Sequence, residues 1–487
     1  MKKLENTRWV ETCEKLVVIL LCALMADCCI FGAGRTVMVG PFGFRMTLVA
    51  MVMLVAIPVM VRDFRYLIRK KVLWIFAAFA AWLVIQSVRG ILRGNSPAVF
   101  ASDLKGYCYY MMLIPAVCVL NSKKRIHMLM KTMLYASTVL AIISVIATCM
   151  YRWNYDLFMK IYEMDPDLNV IIESMIIKRM VTRLFFKSTN YLLVGCAFSI
   201  YFHAVDAGKY RWRYPVFTGL CLFGILMSYT RAVYLAAFVT AVTLIAIFLI
   251  WGTRDVKVKL WKHLIAATLV FVIIVGGLGA AAGTNYIEHG IRRLIITFGI
   301  TEEAQVNYVP DVPMNIGEPA NTTDSIEVIS PSNGVWTTVP EQPAKEEVNN
   351  VMTMTIGSDK IRADTLGELK EWIRMAPIFG HGLGKAVNCR DDGLTEYVYH
   401  EIVMKTGIAG LILYLLPMLW LVGSMLDKKK LSKSDKLTAG SWLVVLLGFM
   451  GFSYFNPYMN ASLGILFYCC TVGVFENLKC CHNSKEN

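Results

Sequence analysis

Charge is scarce in this chain. Only 17% of its 487 residues are Asp, Glu, Lys or Arg, while 56% are hydrophobic and the mean hydropathy is positive. A soluble domain carries about 25% charged residues, so the composition excludes one and indicates a polytopic membrane protein. Other chemistry is missing too. The 14 cysteines form neither a disulfide framework nor a zinc-ligand spacing. Most lie in or beside apolar segments, such as Cys22, Cys28, Cys29, Cys108, Cys118, Cys196, Cys221, Cys469 and Cys470. Cys389 lies well outside them with no partner cysteine nearby, and Cys480 and Cys481 read as an inert pair after the last segment. No small-residue cleavage site follows the first apolar segment, which predicts an anchor rather than a removed signal peptide. No internal repeat relates the two halves, which weighs against a transporter built from repeated units.

Long hydrophobic runs are what the chain has instead. A membrane-spanning helix needs about 20 apolar residues. Twelve segments approach this: 16–33, 46–61, 72–88, 104–120, 133–151, 188–205, 214–229, 232–251, 263–281, 403–423, 439–455 and 460–476. Each must be helical, because lipid offers no partner to an open backbone N–H or C=O. The expected fold is an all-α polytopic membrane protein of about twelve transmembrane helices.

The net charge of +14 does not point to nucleic acid, because of where the cations fall. Arg62, Arg65, Arg69, Lys70 and Lys71 follow the second segment, and Lys123, Lys124, Arg125 and Lys131 the fourth. Lys209, Arg211 and Arg213 follow the sixth, Arg254, Lys257, Lys259 and Lys262 the eighth, and Lys428, Lys429, Lys430, Lys433 and Lys436 the tenth. Short basic loops stay cytoplasmic. The alternation predicts both termini inside the cytoplasmic membrane and a large extracytoplasmic loop between helices nine and ten. The chain then divides into helices one to nine (1–281), the loop region (282–402), and the last three helices with a cytoplasmic tail (403–487).

Within that loop, 301–357 is rich in Pro, Asn, Thr, Glu and Val without helical period. Over 359–376, Arg362, Leu366, Leu369 and Ile373 share a helical face beside Trp372, and Pro377 closes the helix. This spacing predicts an amphipathic helix lying at the outer membrane surface or on the bundle.

Several residues stand out chemically. Lys178, Arg179, Arg183 and Lys187 place cations in the outer loop 152–187, against the positive-inside tendency. Arg179, Arg183 and Lys187 would align on a helix. They read either as contacts to lipid phosphates or as a site for an anionic substrate, which the planar Arg fork suits. Arg231 follows Met227-Ser228-Tyr229-Thr230 at a tight outward hairpin, where it either snorkels or faces a wet functional cavity. The turn Gly380-His381-Gly382-Leu383-Gly384-Lys385 lacks the spacing and the following Ser or Thr of an ATP-binding loop. It is either a turn with exposed backbone N–H groups or a chain reversal. Glu396 and His400 are four apart and would share a helical face. They read either as a general-base pair or as a polar helix start anchored by Tyr397 and Tyr399.

In order, these features resemble the O-antigen ligase and O-antigen polymerase superfamily. The features are an outer-loop Arg before Asn190, the Ser228–Arg231 hairpin, a large outer loop, Arg362 before Trp372, the Pro377–Gly384 turn, and a polar helix into Lys405-Thr406-Gly407-Ile408-Ala409-Gly410. The resemblance covers roughly 180–425. It implies a metal-independent membrane glycosyltransferase of GT-C-like fold, without a cofactor. Its donor would be a polyprenyl-pyrophosphate-linked glycan on the outer face, and its acceptor a glycan or lipid core. The family's essential arginines map to Arg183 and Arg231, and further to Arg362, with Arg179 and Lys187 nearby. Counting back from Gly407, the family's histidine position falls on Glu396, with His400 one turn nearer. Either residue is the expected base. The alternative is a flippase or transporter of lipid-linked oligosaccharide, which would need a polar path at mid-membrane. Asp27 is the acidic residue the sequence places deep in a segment.

Overall fold

The computed structural model describes residues 8–32, 38–39, 42–164, 170–173, 183–206, 208, 210–288, 290–291, 326–328, 337–339, 361–388, 395–427 and 431–483. The chain runs through α1 (Arg8–Ile30), α2 (Phe44–Arg62), α3 (Phe64–Ile68), α4 (Lys71–Leu92), α5 (Pro97–Cys108), a 3-10 turn (Tyr109–Met112) and α6 (Leu113–Val119). It continues through α7 (Lys123–Trp153), α8 (Tyr155–Met164), α9 (Tyr191–Val205), α10 (Arg213–Met227), α11 (Arg231–Trp251) and α12 (Arg254–Ala282). After α13 (286–288) and α14 (361–375) come α15 (Val398–Leu426), α16 (Lys433–Phe452) and α17 (Ser462–Asn483).

Seven of these helices are long and apolar enough to cross a membrane: α2, α4, α7, α11, α12, α15 and α16. The protein is therefore an α-helical membrane protein. The remaining apolar segments also fall on helix, but α9 and α10 are only 15 residues long. The segment 104–120 is broken into α5, the 3-10 turn and α6. Pro115 explains the break, since it has no N–H to offer the carbonyl four residues earlier.

α16 is the hub of the bundle, with 89% of its most apolar window buried, whereas α12 has 17% buried and lies at the periphery. Trp442 of α16 packs against Phe467 at 5.1 Å and Phe198 at 5.0 Å, and the Tyr191 hydroxyl donates to the Leu463 carbonyl at 2.6 Å. The outer faces of α2, α4, α11 and α12 carry exposed Leu54, Val84, Phe238 and Ile273, as a lipid-facing surface requires.

Each end of the bundle is held by buried charge. At one end Glu14 accepts from Arg62 (3.0 Å), Asn121 (2.7 Å) and Arg125, Lys70 pairs with Glu476 (3.7 Å), and Lys123 with Asp435 (2.5 Å). At the other, Arg45 donates to Asp27 (2.7 Å), the carbonyls of Phe31 and Gly32 (both 3.1 Å), and Ser462 Oγ (3.0 Å). Asp27 is thus half of a buried ion pair, not a solitary mid-membrane charge. A buried pair is tolerable only when its remaining donors are satisfied, as those of Arg45 are here.

Three short antiparallel hairpins complete the described structure: β1–β2 (Met38–Val39, Phe42–Gly43), β3–β4 (Val170–Glu173, Arg183–Phe186) and β5–β6 (Ile326–Val328, Thr337–Val339). The second differs from the expected helical alignment of Arg179, Arg183 and Lys187. Arg183 lies in β4 opposite Glu173, and Lys187 in the turn that follows. The run Val170-Ile171-Ile172 facing Leu184-Phe185-Phe186 favours strand, being β-branched and aromatic.

Candidate functional site

The site begins with a break in α15. Gly407 has φ 74 and ψ 177, so the carbonyls of the preceding turn lose their helical donors. The glycine-rich turn supplies replacements. His381 N donates to Met404 O (2.8 Å) and Gly382 N to Lys405 O (2.9 Å), while Trp82 Nε1 donates to Thr406 O (3.0 Å). Beyond the break, Ile408 N donates to Pro377 O (2.8 Å) and Ala409 N to Ile378 O (3.3 Å). Only glycine fits at 407, since a Cβ there would stand 2.0 Å from Ile378 O. The turn also touches α4 backbone to backbone, and a Cβ on Gly90 would stand 2.1 Å from Leu383 O.

This settles the role of the turn. Gly380 N donates to Ala376 O (3.0 Å), Leu383 N to Gln86 O (3.1 Å) and Gly384 N to Asp103 Oδ2 (2.9 Å). With His381 and Gly382, every amide from 380 to 384 has an internal acceptor. The alternative of exposed N–H groups fails, and the turn is a clamp on the broken helix.

Beneath the clamp lies a charged cluster that sequence reasoning missed. Lys405, 2% exposed, reaches Asp103 Oδ1 at 2.7 Å and also pairs with Glu401. Glu401 Oε2 further accepts from Thr395 Oγ1 (3.3 Å) and Asn460 Nδ2 (3.4 Å). One ammonium faces two carboxylates. Glu401 and Lys405 are four apart on one helix, a spacing visible in the sequence. Asp103 comes from α5 and had no local signal.

The residues expected to carry chemistry are distributed as follows. Arg362, on α14, donates through Nε to Glu396 Oε2 at 2.9 Å. Glu396 precedes α15, whose N-cap is Tyr397, so it does not share a helical turn with His400. His400 lies in the first turn of α15, its ring 5.8 Å from both Tyr397 and Tyr454, with Nδ1 buried and without a hydrogen-bond partner among the described residues. α14 spans 361–375 and turns Leu369, with Leu366, Trp372 and Ile373, against Val387, Tyr397 and Met404.

Arg231 opens α11. Before it, buried Tyr229 takes φ 41, the one positive-φ residue other than glycine among the described residues. Its hydroxyl donates to Tyr286 O (3.3 Å), and Thr230 Oγ1 donates to Ser228 O (2.9 Å). Arg231 is half-buried, with no hydrogen bond or ion pair among the described residues. Asn190, fully buried before α9, has neither amide atom partnered among them. Arg179 and most of 301–357 lie outside the described residues, as does the side chain of Arg183.

A second cationic group lies along the clamp. Arg93 Nη1 stands 3.1 Å from His381 Nδ1, and His381 Nε2 is 2.8 Å from Trp372 O. A carbonyl can only accept, so Nε2 carries the proton and Nδ1 accepts from Arg93. Burial holds the His381 pKa below its ordinary value, reinforced by Arg93, Lys385 and Arg89 and opposed by the Trp372 carbonyl. Lys385 Nζ sits 3.2 Å above the Trp372 ring, and burial and Arg93 lower its pKa against the pull of Glu368.

The fold and these buried polar groups define a class, a helical membrane protein with a broken, clamped helix and charged residues at one rim. No protein-family model matches the chain, and a search of curated proteins returns no match.

Proposed function

We propose that this chain is a membrane glycosyltransferase that transfers or polymerises a polyprenyl-pyrophosphate-linked glycan on the outer face of the cytoplasmic membrane. In this reading it has twelve spans of GT-C-like arrangement and both termini inside. The observation that carries it is Arg231, a half-buried cation at a helix start without an ion-pair partner among the described residues, preceded by a backbone strained at Tyr229. Strain of that kind persists where surrounding structure enforces it, and it concentrates at functional sites.

As the glycosidic bond to the diphosphate breaks, negative charge builds on the leaving oxygen. A guanidinium already in place stabilises that charge in the transition state. Arg231 takes this role, with Arg183 on the donor diphosphate. The unpartnered Nδ1 of His400 takes the proton of the acceptor hydroxyl. Glu396, held by Arg362, orients the chain entering α15.

The test is product formation in liposomes from a polyprenyl-pyrophosphate-linked repeat unit. Arg231→Ala should lower the rate about a hundredfold, the cost of removing one preorganised donor to a developing anion. Near-normal turnover by Arg231→Ala would overturn the reading.

A second reading is a flippase for lipid-linked oligosaccharide. It is favoured by the Asp103–Lys405–Glu401 cluster at a helix break, a combination suited to a polar path across lipid. Transbilayer movement of a fluorescent donor without a new glycosidic bond would select it.

A further inference from the structure

We propose that the rim formed by the C-terminal end of α4 and the clamp turn is a separate binding site for the phosphate group of a membrane lipid. Arg89, Arg93 and Lys385 are its cations, and His381 positions Arg93. Arg93 meets the His381 ring at 3.1 Å, Lys385 sits 3.2 Å above the Trp372 ring that packs 5.2 Å from His381, and Arg89 lies 6.0 Å from Phe379 of the same turn, so all three border one turn. None makes an ion pair among the described residues. The carboxylate acting on Lys385, Glu368, is engaged by Trp372 Nε1 (3.0 Å) and Asn388 N (2.7 Å). Gathering like charges without a counter-ion is unfavourable, and a bound phosphate removes that cost.

The support under these cations is rigid. Asn95 Nδ2 donates to the carbonyls of His381 (3.2 Å), Gly382 (3.4 Å) and Leu383 (2.9 Å), tying the end of α4 to the clamp. The neutral His381 ring receives Arg93 and fixes its direction. Lys385 is held by the Trp372 face, and Arg89 lies 6.0 Å from the Phe379 centroid.

The flank identifies the ligand as an amphiphile. Ile91 (66% exposed), Leu92 (82%), Met375 (62%) and Phe379 (53%) offer open apolar surface next to the cations. A soluble phosphate has no use for that surface; a phosphate carrying a hydrocarbon tail does. The site needs only that the protein sits in a bilayer and does not rest on the glycosyltransferase reading.

Binding of three probes to the purified full-length protein tests it: short-chain phosphatidylglycerol, a short-chain prenyl phosphate and inorganic phosphate. Each is titrated in the wild type and in Arg231→Ala, so that binding at the proposed donor site is separated from binding at the rim. The rim component is expected to survive Arg231→Ala and to weaken at least tenfold in Arg93→Gln/Lys385→Gln. It should weaken several-fold in Arg89→Gln, whose side chain makes no hydrogen bond to the clamp among the described residues. A preference for phosphatidylglycerol identifies a bulk lipid headgroup as the occupant, and a preference for prenyl phosphate a lipid carrier. Unchanged amphiphile affinity in both rim variants overturns the proposal, as does inorganic phosphate binding as tightly as either amphiphile. Loss of rim binding with glycan transfer intact, or the reverse, shows which of the two sites has failed.

Discussion

Lys405 is a buried cation held by two carboxylates from different helices. It is buried between Asp103 and Glu401, and its removal leaves two carboxylates facing each other without a cation. Breaking a buried pair by deleting one partner costs about 3–5 kcal/mol. Lys405→Met should therefore be among the most destabilising single changes in the bundle. Asp103→Asn or Glu401→Gln leaves one cation with one carboxylate and should cost less than half as much. Thermal unfolding in detergent gives the ranking, and a milder effect for Lys405→Met than for the carboxamide variants would contradict this account. The sequence offers the Glu401–Lys405 pair by spacing alone. It could not offer Asp103, because that contact spans 302 positions and depends on the fold. His381 makes a second claim at this scale. Its folded pKa lies below the ordinary value of 6.5, so on acidification the unfolded chain takes up a proton that the folded ring resists. Stability from this residue is complete above that value and declines as pH falls below it. His381→Gln should flatten that part of the stability–pH curve, and an identical slope in both proteins would remove the assignment.

Among the elements, α15 departs furthest from what its sequence suggests. A polar helix running through Lys405-Thr406-Gly407 into an apolar span is what the sequence suggests, and α15 does begin at Val398, yet it breaks at Gly407. The apolar pattern reveals where a span lies because lipid enforces it. It does not reveal a break whose carbonyls are satisfied by a distant turn. Gly407→Ala combines a left-handed φ with a Cβ 2.0 Å from a carbonyl oxygen, and should cost upwards of about 3 kcal/mol. Gly423, in the same helix with nothing within 4 Å of its added Cβ, is the control. Gly423→Ala should be neutral or stabilising by about 0.5–1 kcal/mol. Equal effects from the two would mean that α15 is not clamped as described. Elsewhere α14 was legible, since its apolar stripe at helical spacing is the face that packs. The cations near residue 183 were misleading, because charge spacing was given weight over the β-branched and aromatic residues around them.

At the scale of the whole molecule, the two ends of the bundle differ in a way that tests its orientation. The loops holding Arg62, Lys70, Lys123 and Arg125 meet at one end through Glu14, Glu476 and Asp435. The loops near residues 204–211 and 259 are joined through Lys259 to Ala204 and Arg211 to His203. The opposite end brings together Ser188 with Ile30, Arg152 with Ala282, and Tyr399 with Met450. Each group of loop ends is thus held together by its own contacts. Under the proposed function, the end holding the short basic loops faces the cytoplasm and the other end faces outward. In a cysteine-free background, Asn285→Cys, near the Tyr229–Tyr286 contact and hence near Arg231, should react with a membrane-impermeant maleimide in intact cells. Ser332→Cys in the long insert should do the same. Ser434→Cys, exposed at the start of α16, should react only after permeabilisation. The reverse pattern would place Arg231 on the cytoplasmic side, away from the outer leaflet that the proposed donor occupies, and the proposed donor site would have to be sought at the other end of the bundle.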